Sequence, residues 1–136
     1  MSNQLNVLSY KKVQQALNSS KSQYEIVQFL MENLLSSMKN IIPENVNKIK
    51  KTEKEKAAIK AKHASKGLTI IYSLQISLDF DKAPKIAQNL FQVYEYCRVQ
   101  IINTLLNKAK EGLKKAIMAL EDILDAWKNL KKNNAH

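Results

Sequence analysis

Apolar residues recur every three or four positions along most of this chain, and each run of them stops at a break. From Gln23 to about Ile42, the residues Val27, Leu30, Met31, Leu34, Leu35, Met38, Ile41 and Ile42 share one helix face, widened by Ile26 and Phe29. Ser20 and Ser22 offer capping oxygens ahead of that run. Pro43 pushes its predecessor out of the α region and predicts the end of the first helix. A second helix is predicted from Glu44 to about Asp79. Its first half has only Val46, Ile49 and Ile59 as large apolar residues, whereas Leu68, Ile70, Ile71, Leu74 and Leu78 crowd its second half. That contrast predicts a first half that projects from the body or frays. The third helix starts at Asp81-Lys82-Ala83-Pro84, with proline in the first turn, and its stripe is Ile86, Leu90, Val93, Tyr94, Cys97, Ile101 and Leu105. The fourth runs from about Lys110 to Lys131. Its Leu113, Ile117, Leu120, Leu124 and Trp127 are spaced by four and three like a coiled-coil seam, with Trp127 read as core.

Four amphipathic helices with short connections predict an all-α fold, an antiparallel four-helix bundle. Only two Gly and two Pro occur in 136 residues, too few turn residues for an all-β chain. In residues 1–20 the periodicity weakens, with Leu5, Val7, Leu8, Tyr10, Val13 and Leu17 scattered among polar neighbours. The expected organisation is a flexible N-terminal arm at 1–20, a bundle domain at 21–132 and a disordered tail at 133–136.

Chemistry-bearing patterns are missing. Gly67 and Gly112 stand alone, so there is no phosphate-cradling loop. His63 has Ile59 and Gly67 four residues away and not a second ligand, which argues against a metal. Glu121, Asp122 and Asp125 fall opposite Leu120, Leu124 and Trp127, as a solvated helix face requires. Cys97, the only cysteine, lies on the apolar side of its helix and is read as a small core residue. No catalytic residue, cofactor or metal is expected, and the chain is not read as an enzyme. Met1 to Ser22 lacks the basic start and apolar run of a secretory signal, and no run approaches the length of a membrane span. The expectation is a cytoplasmic protein with no membrane insertion.

The formal charge of +10 is concentrated between Lys48 and Lys66, where eight Lys face Glu53 and Glu55 alone. A basic helix of this kind binds phosphate backbones or anionic lipid, or simply keeps a protein soluble. The stretch has no aromatic residue to stack on bases, so no nucleic acid is expected as partner, although a bundle binding nucleic acid or anionic membrane through 48–66 stands as the alternative function.

Four motifs in order resemble the flagellin export chaperones of bacteria, the FliS family. Tyr10 followed by polar residues is similar to the family's N-terminal tyrosine motif. Tyr24-Glu25-Ile26 and Phe29-Leu30-Met31-Glu32 are similar to its first-helix pattern. The middle match is Lys66, Ile70-Ile71, Leu74, Ser77-Leu78-Asp79, Ile86-Ala87, Asn89-Leu90, Tyr94 and Tyr96, and Asp125-Ala126-Trp127-Lys128 resembles the closing signature. The chain departs from the pattern at Gln23, Met31, Ala83-Pro84, Thr104-Leu105 and in its Lys-rich segment.

The resemblance implies a chaperone that wraps the disordered C-terminal segment of flagellin, blocks its premature polymerisation and delivers it to components of the flagellar type III export gate. Apolar anchors at helical spacing would dock between bundle helices. Such a groove needs apolar surface that the core does not consume. The candidate partner-binding residues are Tyr10, Ile70, Leu74, Leu78, Leu90, Tyr94 and Tyr96, with bundle core as the competing role for each. A structural bundle that pairs as a homodimer through surplus apolar surface such as Ile26 and Phe29 is a third reading.

Overall fold

The structure, a computed structural model, describes residues 22–108 and 111–134, with side chains as far as residue 130. The expected N-terminal arm, with Tyr10, lies outside the described residues. Helix α1 is Gln23–Lys39, α2 is Pro43–Asn47, α3 is Glu53–Ile76, α4 is Pro84–Leu105 and α5 is Gly112–Asn134. The fold is all-α. The four long helices form an antiparallel bundle in which each packs on two neighbours, in the cyclic order α1, α3, α4, α5. Cross-contacts establish the directions. Tyr24 at the start of α1 meets Trp127 near the end of α5, and Lys60 near the start of α3 meets Asn107 just past α4.

Local chemistry starts and stops the helices. Ser22 caps α1, its Oγ accepting from the Glu25 N–H at 3.3 Å, and Glu25 and Lys39 place opposite charges at the two ends of the helix dipole. The helix ends before proline acts. Asn40 caps the last turn, its backbone N–H reaching Ser36 O and its side-chain amide donating to the same carbonyl at 2.8 Å. Pro43, expected as a terminator, instead opens the five-residue α2, where its missing N–H costs nothing. The predicted helix from Glu44 to Asp79 is therefore broken. Lys48 to Lys51 turn, and α3 begins at Glu53 behind a capping box in which Thr52 and Glu55 each satisfy the other's backbone N–H. No residue of α3 before Ala64 is buried, in line with the polar first half, but the helix there is regular and capped. Helix α5 runs to Asn134, two residues into the expected tail.

One contiguous core fills the bundle. Met31, Leu34 and Met38 of α1, Ile71 and Leu74 of α3, Tyr94, Cys97 and Ile101 of α4 and Leu113 and Leu120 of α5 are all fully buried. Gly67 lets α3 approach its neighbours, because a Cβ there would sit 3.1 Å from Ile101 and 3.6 Å from Leu34. The predicted stripe of α4 needs two corrections. Ile86 and Leu105 are exposed while their neighbours Ala87 and Thr104 are buried, so the buried face at each end of the helix lies one residue inward of the predicted stripe, and Gln100 is buried as well. Cys97 is free and buried.

Candidate functional site

The turn from α3 to α4 builds a cleft at one end of the bundle. Ser77 closes α3, its hydroxyl donating to Leu74 O at 2.8 Å. Asp79 then gathers the loop: its Oδ1 accepts from the N–H groups of Asp81 and Lys82, both at 3.0 Å. Leu78, between them, points inward and is half-buried against the core. Pro84 launches α4 so that Ile86, Ala87, Leu90 and Tyr94 succeed one another along its inner face. With Val27 of α1 and Trp127 of α5 these residues line an open cleft of about 190 Å³ whose walls are mainly apolar. Lys82 and Asp79 are the charged residues at its edge.

The far wall is pinned across the bundle. Trp127 stacks on Tyr24 with ring centroids 4.7 Å apart, and its indole N–H donates to Tyr24 O at 3.0 Å. A second apolar tract flanks the same turn on the outer surface: Tyr72, Ile76, Phe80 and Phe91 are all exposed, with Phe80 and Phe91 in edge-to-face contact at 6.2 Å. Below it the Glu95 carboxylate takes a charge-assisted pair from Arg98 and a 3.0 Å bond from Gln75, which holds it down at about pKa 2. Burial pushes the Tyr94 phenol up, well above its ordinary range, so this side chain acts as a neutral wall.

The residues singled out in the sequence scatter over three environments. Ile70 and Leu74, 3% and 1% exposed, are spent on the core between helices and offer a partner no surface, which corrects their assignment to a groove. Tyr94 is also 1% exposed, yet its ring forms the floor of the cleft. Leu78 and Leu90 line the cleft and are half-buried. Tyr96, 38% exposed, follows Tyr94 by about 200° around the helix and does not line the cleft. The structure adds Val27, Ile86 and Ala87, and it moves Trp127 from the core interior to the cleft's wall. Proline at the first helical position was the available signal for Ile86, because it places that residue in the first turn, at the end of the bundle.

Among the described residues no group of three or more His, Cys, Asp and Glu is placed to hold a metal, and no helix is long and apolar enough to cross a membrane. Burial and the neighbouring Lys62 and Lys66 lower the pKa of His63. The fold and the cleft define a helical bundle with apolar surface open at one end. Over residues 5–134 the chain matches the family described as flagellar protein FliS. It therefore belongs to the FliS family, whose members are chaperones of flagellar biogenesis with flagellin as partner. No curated protein matches the sequence.

Proposed function

We propose that this protein is a cytosolic export chaperone that binds the C-terminal segment of flagellin, keeps it from polymerising, and assists its delivery to the flagellar type III export gate. The observation that carries the reading is the cleft at the α3–α4 turn, with Leu78, Ile86, Leu90, Tyr94, Val27 and Trp127 around it. An amphipathic helix presents anchors at one-turn spacing, and an open apolar cleft on a bundle end takes such anchors one at a time. The outer tract of Tyr72, Ile76, Phe80 and Phe91 starts at the same turn, so a client passing the cleft has apolar surface on which to continue. The protein's part is to cover and hold, with no chemical step. Ordering a disordered client subtracts from the affinity, which suits a segment that must later be released.

Calorimetric titration with the last ~50 residues of flagellin from the same genome tests this, a length that reaches ~75 Å when helical. Micromolar or tighter binding, a negative heat-capacity change and little dependence on salt are expected. Absence of binding sinks the reading. Steep salt dependence would instead point to the Lys-rich segment 48–66 as an anion-binding surface.

A further inference from the structure

A second concavity, of about 370 Å³, lies at the opposite end of the bundle, between α2, the first two turns of α3 and Asn107 beyond α4. Its walls are mainly polar. Lys56 and Lys60 stand four residues apart on α3, so both side chains reach into it from one helix face. The Lys56 side chain is only 14% exposed, and its ammonium finds just the Asn47 carbonyl at 3.4 Å and Glu53, 3.5 Å away, whose own side chain is 91% exposed. Lys60 donates to the neutral Oδ1 of Asn107 at 3.3 Å. Glu44, the acid of α2, is turned to Lys114 instead. Two ammonium groups are thus held in a recess with long bonds to neutral oxygens and one solvated carboxylate. An anion would relieve each of these costs.

We propose that this concavity binds a small phosphate-type oxyanion, held by Lys56 and Lys60 beside the side chains of Asn47 and Asn107. The two ammonium groups converge on one recess from a single helix face, unlike the extended row of cations that follows a nucleic-acid backbone. The site is independent of the client reading, since it shares no residue with the apolar cleft.

The test is an NMR titration of the ¹⁵N-labelled full chain with inorganic phosphate, then pyrophosphate, at constant ionic strength balanced with sodium chloride. Saturable shifts at the amides of Ala57, Lys60 and Asn107 are expected. Lys60→Gln should weaken binding by about tenfold, the worth of one charge-assisted contact. Glu53→Gln should tighten it, because the carboxylate beside Lys56 then no longer repels the anion. Phosphatidylglycerol vesicles form the second arm. Vesicle binding that phosphate competes away and Lys60→Gln weakens would name a lipid headgroup as the source, and its absence would name a free phosphate. Shifts that stay linear in phosphate, or an affinity unchanged in a folded Lys60→Gln variant, would overturn the proposal.

Discussion

Trp127 lies nearly parallel to the ring of Tyr24, at an interplanar angle of 15°, and donates its indole N–H to the backbone carbonyl of the same residue. One side chain therefore ties the end of α5 to the first turn of α1 and stands as a wall of the cleft. Trp127→Ala should destabilise the bundle by about 3 kcal/mol, because stack, hydrogen bond and packing go together. Trp127→Phe keeps an aromatic face and should cost about 1 kcal/mol, the worth of the lost bond. Urea midpoints followed by circular dichroism would separate the two.

Leu90 and Ile86 test the cleft itself. Leu90→Asp should weaken binding of the flagellin segment by at least about thirtyfold, near 2 kcal/mol, if the cleft seats a central anchor. Ile86→Asp should weaken it too while changing stability by less than about 0.5 kcal/mol, since Ile86 is 60% exposed. Met118→Asp, on the exposed face of α5, is the matched control and should leave the affinity unchanged. Equal affinities across all three variants would move the binding surface elsewhere.

Glu95 predicts a small acid-limb effect. Its folded pKa of about 2 lies below the ordinary value of 4.5, first through the Arg98 hydrogen bond and then through Gln75. A depressed acid stabilises the fold above its unfolded pKa, and that contribution fades as pH falls from about 4.5 towards 2. The carboxylate is 36% exposed, so solvent screening keeps the gain under about 1 kcal/mol. Glu95→Gln should flatten stability against pH in that window alone.

Cys97 is sealed in the core, and burial pushes its thiol up to about 12. Reaction with a disulfide reagent at pH 8 should be slower than that of a free thiol by more than about a hundredfold in the native protein, and fast in urea. A prompt native reaction would mean that α4 and α5 part readily.

Thr52→Ala removes the capping box, which should cost about 1 kcal/mol. Because no residue of α3 before Ala64 is buried, the loss should surface as faster amide exchange over the first turns of α3, with the cleft unchanged.

The all-α bundle was legible because its signal is local and repeated. Leu30, Leu34 and Met38, or Leu113, Ile117, Leu120 and Leu124, name their buried faces by spacing alone. Other local signals were present and lost to stronger ones. Thr52-Glu53-Lys54-Glu55 spells a capping box, but the lysines around it read as one long helix, and no Gly or Pro marks the turn at Lys48 to Lys51. The motif order around Ser77-Leu78-Asp79 points to the end of the bundle where the cleft lies, without separating its surface from its core.

The sequence by itself determined which faces turn inward, where Pro84 starts a helix, and the family. Tertiary structure alone decided which apolar residues are left over. Ile70 and Leu90 look equally suited to a groove in one dimension, yet Ile70 is closed in between helices while Leu90 faces a gap. Burial depends on where each helix ends relative to its neighbours, and amphipathic spacing carries no such information. It took the ring order α1, α3, α4, α5 to bring Val27, Leu78, Leu90 and Trp127 around one cleft.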